Sequence, residues 1–547
     1  FKVIEGASYS LQLHPDPGLE AYLDEVIAKI AAAQEEDGYL YTNRTINPDQ
    51  AADEAGSERW TNLKVFHELY NVGHLYEAAV AHYLATGKRT LLEVALKNAD
   101  LVLEVFGPNR NMGVPGHEEI EIGLVKLYRV TGERKYLTLA RFFIEERGNA
   151  DGHELYGSYA QDHKPFLQQE EAVGHAVRAG YLYSGVADVA ALTGDAAYVQ
   201  AIDRIWSNVV SKKLYLTGGI GASRRGEAFG KNYELPNATS YNETCAAIAN
   251  MLWNHRLFLL KGEAKYMDVF ERTLYNGFLA GVSMEGNTFF YPNPLEFDGV
   301  YTFNQGATSR KPWFDCSCCP VNVVRMMPSL PGYIYGVRED EVFVNLFINS
   351  RATLQLGETG VMITQQSQYP WDGRILLTVD PENSTGMTIK LRIPGWARNE
   401  VVPSKLYQYS EDSALPTRIL ISGEAVEYAV EKGYAVLKRN WNEGDQIELQ
   451  IPMPVRKVLT YEKVEANRGR LALERGPVVY CAEGIDNEGQ VLNLLLEEDA
   501  ELQADYVTDL LNGVSVIRGI ARAKEPAKPD IREWKAQPFT AIPYYAW

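Results

Sequence analysis

The chain has 547 residues, of which 46% are hydrophobic and 23% charged, enough for several ordinary globular domains. Asp and Glu outnumber Lys and Arg 72 to 53, a formal charge of −19, and no polybasic tract interrupts that balance. A net anion of this kind excludes nucleic acid and anionic membrane surfaces as partners, and no run of about 18 apolar residues is available to span a bilayer.

In chain order, the opening Phe1-Lys2-Val3-Ile4-Glu5-Gly6 reads as the middle of a helix, so preceding sequence is expected to be missing. Any leader would have gone with it, and neither a cytoplasmic nor a periplasmic location is favoured. Up to about residue 332 the apolar residues recur at helical spacing, as in the stretch 74–83. Four glycines, Gly87, Gly132, Gly194 and Gly262, each follow such a helix where a left-handed C′ residue is needed. Helical hairpins set in a ring, an α/α toroid, account for that pattern. The steps Gly73-His74, Gly116-His117 and Gly174-His175 precede three of the glycines, and Glu243 and Cys245 precede the fourth. If the first helices of the hairpins are parallel, these side chains open onto one mouth. His67, His82 and His163 fall outside that pattern and read as structural.

Between residues 217 and 230 a glycine-rich loop presents Glu227 in Gly226-Glu227-Ala228-Phe229-Gly230. It lacks the ending of a phosphate loop. A carboxyl group beside an aromatic and away from water is expected to titrate high, which suits a general acid, although a plain loop acid is the commoner reading. Four of the five cysteines follow within a short span: Cys245, Cys316, Cys318 and Cys319. Pro320 reads as the first residue of a helix, placing Cys318 and Cys319 at its positive end, where thiolate is favoured. With Glu243 and Cys245 they make a four-donor set suited to zinc, against the alternative of inert buried thiols. Cys481 stands apart.

From about residue 340 the pattern changes to the alternation of strands, as in 342–348, 387–393 and 446–451, separated by turns such as Pro394-Gly395. A multidomain α+β chain follows: a helical domain over 1–332, a β-sandwich over 333–456 and a second β module over 457–547.

Taken together, Gly226-Glu227-Ala228-Phe229-Gly230, Tyr233-Glu234-Leu235-Pro236-Asn237, Glu243-Thr244-Cys245-Ala246, Cys318-Cys319-Pro320, Pro115-Gly116-His117 and the stretch 173–179 resemble the zinc-dependent β-L-arabinofuranosidases of glycoside hydrolase families 127 and 146. The resemblance covers nearly the whole chain. It implies an (α/α)6 barrel followed by β-sandwich modules, and retaining hydrolysis of plant glycans that releases L-arabinofuranose from chain ends. By motif, Cys318 is the implied nucleophile and Glu227 the acid and then base. Glu243, Cys245, Cys318 and Cys319 are the implied zinc ligands, and His74, His117, His175, Tyr291 and Cys316 the implied sugar contacts. Members of these families carry further sequence before the point where this chain starts, including a glutamine near the sugar, so that contact has no counterpart here. A homodimer is compatible with the resemblance. Three other readings stand beside it: the same chemistry on an acidic branched pentose met by Arg224 or Arg225, a carbohydrate-binding protein with structural zinc, and an epimerase using His117 and His175.

Overall fold

The computed structural model describes residues 1–49, 56, 58–412, 414–524 and 534–547. Its longer helices are α1 (Lys2–Leu13), α2 (Pro17–Ala33), α3 (Glu68–Thr86), α4 (Thr90–Val105), α5 (Ile120–Thr131), α6 (Arg134–Glu146), α7 (Ala176–Thr193), α8 (Ala196–Lys212), α9 (Thr244–Lys261), α10 (Ala264–Arg272) and α11 (Cys318–Ser329). The odd-numbered helices pack each against the next, and α11 returns against α1, so six inner helices close a ring among the described residues. The even-numbered helices back them from outside. This division follows from side-chain pattern. Inner α7 is buried on every face from Ala176 to Ala190, whereas outer α6 buries one stripe, including Tyr136, Leu139, Ala140 and Phe143. The four hairpin glycines cap α3, α5, α7 and α9 with φ of 74°, 74°, 69° and 64°, a region other residues enter at a cost.

Gly73 has a different task. It lies inside α3, where a Cβ would sit 2.8 Å from the Ile120 nitrogen, so its absence lets α3 and α5 approach closely. Below that contact a buried ion network ties the ring across its axis. Glu77 of α3 meets Lys126 of α5 and Arg325 of α11, each at 2.6 Å, and Arg325 reaches Glu5 of α1 at 3.1 Å. Arg325 also donates to the Tyr181 hydroxyl of α7 at 2.8 Å.

The β region forms three sheets. One joins strands 335–338, 341–344, 385–392, 434–441 and 429–431 in that spatial order, and a second joins 350–356, 359–367, 374–381, 445–450, 418–421 and 424–425. Their alternating buried positions belong to one core that runs from Ile4 to Tyr544. The third sheet begins with Val455–Thr460, so the break expected at 456/457 falls inside a strand and moves ahead of Val455. Tyr407–Tyr409, from the preceding domain, pairs with that same strand and stitches the two modules together. The C-terminal module docks on the helical domain through Arg272–Glu474 at 2.8 Å and through Asn276. Its amide donates to the Pro477 carbonyl at 2.9 Å and accepts from the Val479 nitrogen at 2.8 Å.

Candidate active site

The N-termini of all six inner helices face one cavity of about 610 Å³, lined by Lys2, His67, His117, His175, Glu243 and Cys318 among others. Their first-turn N–H groups and dipoles make the mouth a favourable place for anions. A larger cleft of about 790 Å³ lies between the helical domain and the third sheet, but no cluster of metal-ligating side chains lines it among the described residues.

Four donors converge on one side of the smaller cavity. Glu243 caps α9 and Cys245 lies in its first turn, while Cys318 and Cys319 open α11 behind the cap residue Ser317. The helix therefore starts two residues earlier than Pro320 suggests, and both thiols stand within its first turn rather than before it. The donor atoms lie within 4.8 Å of one another. Cys245 Sγ is 3.4 Å from Cys319 Sγ, which is 3.9 Å from Cys318 Sγ; Glu243 Oε1 is 3.5 Å from the Cys318 sulfur and 3.6 Å from that of Cys319. Burial, with the Cys318 and Glu227 charges, pushes Glu243 well up, and burial with the neighbouring thiols pushes Cys319 well up. The Glu243 Oε2 atom is buried without a hydrogen-bond partner, and no Lys or Arg pairs with this carboxylate among the described residues. Such a donor set can shed its protons together only beside a cation. Tyr291 closes the group, its hydroxyl 3.1 Å from the Cys318 sulfur and 4.0 Å from that of Cys316. The Tyr291 backbone is fixed from both sides, donating to Asn304 and accepting from Thr244.

Beside the cluster stands Glu227, whose carboxylate comes within 4.8 Å of the Glu243 carboxylate and of the His175 ring. Ser223 and Ala228 exchange backbone hydrogen bonds of 2.9 and 3.0 Å, closing a tight turn in which Glu227 adopts φ of 51°. Held in that sparsely populated region, the carboxylate accepts from His175 Nε2 at 2.8 Å and from the Tyr241 hydroxyl at 2.7 Å. The His175 tautomer follows from the backbone. Its Nδ1 accepts the Val177 and Arg178 N–H groups at 3.2 Å as the cap of α7, so the proton sits on Nε2 and points at Glu227. Burial raises the Glu227 pKa, but the His175 and Tyr241 donors and the Arg178 charge more than offset it, and the net shift is downward. This reverses the expectation of a high-titrating acid, because the decisive partners come from the cap of α7 and from the loop before α9.

The histidines sort by helix end and not by the Gly-His step. His67 holds the cap position of α3, without the side-chain cap bonds that His175 makes on α7, and His117 lies just before Glu119, the cap residue of α5. His67 and His117 rings are 5.9 Å apart and His117 and His175 rings 5.7 Å, so these three form a row along one wall. His117 Nδ1 faces the Glu118 carbonyl at 2.8 Å, which leaves Nε2 as an acceptor. His74, by contrast, lies about two turns inside α3 on the cavity floor, with Nδ1 2.8 Å from Glu119. Burial pushes His74 well down and Glu119 well up, each toward its uncharged form. The expected equivalence of His74 with His117 and His175 therefore fails, and His67, read as structural, takes the place. The signal lay in His67-Glu68-Leu69-Tyr70, a polar residue and an acid opening an apolar helix. Tyr241, two residues before Glu243, carried no signal of its own. Arg224 and Arg225 do not line the cavity; Lys2 and Arg178 are the cations that do.

Models of three consecutive domains match the chain: the β-L-arabinofuranosidase GH127 catalytic domain over 1–332, the GH127 middle domain over 341–453, and the glycoside hydrolase family 127 C-terminal domain over 455–547. The chain belongs to glycoside hydrolase family 127. It is 36% identical to the non-reducing end β-L-arabinofuranosidase of Bifidobacterium longum subsp. longum over 588 aligned positions, covering all of this chain and 86% of that one. A solved GH127 β-arabinofuranosidase superposes with a TM-score of 0.95 at 50% identity, covering all of this chain and 85% of the other. A GH127 β-L-arabinofuranosidase from Geobacillus stearothermophilus T6 gives 0.91 at 41% identity, covering all of this chain and 87% of the other. This family 127 member is thus a glycosidase with a carbohydrate substrate, and none of its described helices is long and apolar enough to cross a membrane.

Proposed function

We propose that the protein is an exo-acting, retaining β-L-arabinofuranosidase in which Cys318 is the nucleophile and Glu227 the acid and base, with zinc held by Glu243, Cys245, Cys318 and Cys319. One observation carries the reading: a largely buried Glu-Cys₃ cluster and a hydrogen-bonded glutamate within 4.8 Å of its Glu243 line a single cavity. A tetrahedral zinc with bonds of about 2.3 Å separates its sulfurs by about 3.8 Å, against the 3.4 and 3.9 Å found. When bound, the cation supplies the positive charge that keeps these thiols ionised at neutral pH. The names of the relatives supply the sugar. Six inner helices backed by five outer ones support an (α/α)6 toroid, and the two central sheets a β-sandwich.

In the first step the Cys318 sulfur attacks the anomeric carbon as the glycosidic oxygen departs with the Glu227 proton. In the second, the Glu227 carboxylate takes a proton from water, the water oxygen attacks the same carbon, and the sulfur leaves. Two displacements return the original anomer. His175 and Tyr241 hold Glu227 in the ionised form that the second step uses, so the first draws on a protonated fraction that falls as pH rises. His67, His117 and Tyr291 then contact sugar hydroxyls, with Cys316 at the rim, and His74 supports them from the floor. Removing metal with a chelator is expected to abolish arabinose release and added zinc to restore it, with about one zinc per chain in the active protein. Full activity in metal-free protein would overturn the reading.

A further inference from the structure

The turn that carries Glu227 also carries two arginines with nothing anionic to hold. Arg224 and Arg225 occupy the tip closed by Ser223 and Ala228, and both are exposed, while Glu227 from the same turn points inward to His175 and Tyr241. Arg224 donates to the Tyr301 hydroxyl at 2.9 Å, and Tyr301 is itself 37% exposed. The carboxylates of the surrounding loops are committed elsewhere. Asp298 accepts the Val300 and Tyr301 N–H groups at 2.8 Å, Glu296 meets Arg470, and Glu234 accepts from the Lys231 nitrogen at 2.8 Å. No described carboxylate, Asp315 included, forms an ion pair with Arg224 or Arg225, in a chain whose formal charge is −19.

The proposed acid fixes what this rim can touch. Glu227 protonates the departing oxygen, so the leaving group must pass over the turn that presents Glu227. We infer that Arg224, Arg225 and Tyr301 form a leaving-group subsite for a uronate-bearing glycan, the guanidinium groups meeting the sugar carboxylate and the phenol ring its face. This rests on the glycosidase reading above and adds the chemical class of the aglycone.

The test uses two synthetic glycosides that differ in one group: β-L-arabinofuranosyl galacturonoside and the matching galactoside, with 4-nitrophenyl β-L-arabinofuranoside as reference. The intact protein is expected to favour the uronoside in kcat/KM by about three- to tenfold, the range two half-exposed ion pairs supply. That preference is expected to shrink in 0.5 M salt (about a 4 Å screening length) and to fall below about twofold in Arg224→Ala, with Arg225→Ala in between. Because each variant is read as a ratio between two substrates, a general loss of activity leaves the readout intact. Equal rates on the two glycosides, or an undiminished ratio in Arg224→Ala, would overturn the subsite alone. Failure to cleave any of the three would overturn the underlying glycosidase reading instead.

Discussion

At the residue scale, the decisive detail is which proton sits where around Glu227. Two backbone N–H groups occupy His175 Nδ1, and the imidazole is left with a single donor, aimed at the carboxylate. Tyr241 supplies the second donor. Removing it in Tyr241→Phe is expected to raise the Glu227 pKa, because the charged form loses a stabilising bond. The Glu227-controlled limb of the kcat/KM profile then moves to higher pH; a limb that stays in place would separate Tyr241 from the acid. Glu227 itself was legible in its glycine-rich motif. The direction of its shift was not, since His175 is 52 positions away in the chain and the sign depends on that contact. The thiol cluster was legible for the opposite reason: cysteines are scarce here, and three of them beside one glutamate leave few pairings to consider.

At the element scale, helix ends explain the site better than any short motif. Glycine after four of the six inner helices announced their hairpins, and the structure keeps all four. Glycine before a histidine was misleading, because Gly73 serves helix packing while Gly116 and Gly174 lie in loops ahead of their helices. A Cβ at position 73 would lie 2.8 Å from both the Ile120 nitrogen and the Glu119 side chain. Gly73→Ala is accordingly expected to destabilise the protein by about 1–3 kcal/mol, read as a lower denaturant midpoint at unchanged slope. A neutral midpoint would mean that α3 and α5 can part without cost. The closing of the ring by α11 against α1 was not legible, since it joins residues about 320 positions apart, as in the Glu5–Arg325 pair.

At the scale of the whole molecule, the β modules brace the cavity from behind. The Tyr544 hydroxyl donates to the Pro294 carbonyl at 3.0 Å, while Asn293 next to it donates to the Asn242 carbonyl and the Thr244 hydroxyl at the start of α9. The C-terminal module thus reaches the residues flanking Glu243 through one intermediary. One apolar core spans the helical domain and the two central sheets and reaches the C-terminal module at Val458, Val464, Val479 and Tyr544, while that module holds two small clusters of its own. With the buried Arg272–Glu474 and Asn276 contacts, this continuity predicts a single cooperative unfolding transition by calorimetry. A C-terminal module melting separately would contradict that coupling.

The account stands most directly on the covalent step. Glu227→Gln removes the base of the second displacement, and an aryl leaving group lessens the need for acid in the first, so the glycosyl-enzyme should accumulate. Peptide mass mapping of this variant after reaction with 4-nitrophenyl β-L-arabinofuranoside is predicted to find one pentosyl group on the peptide holding Cys318, attached through its sulfur. An adduct on a carboxylate, or burst release of nitrophenol with no adduct at all, would contradict it.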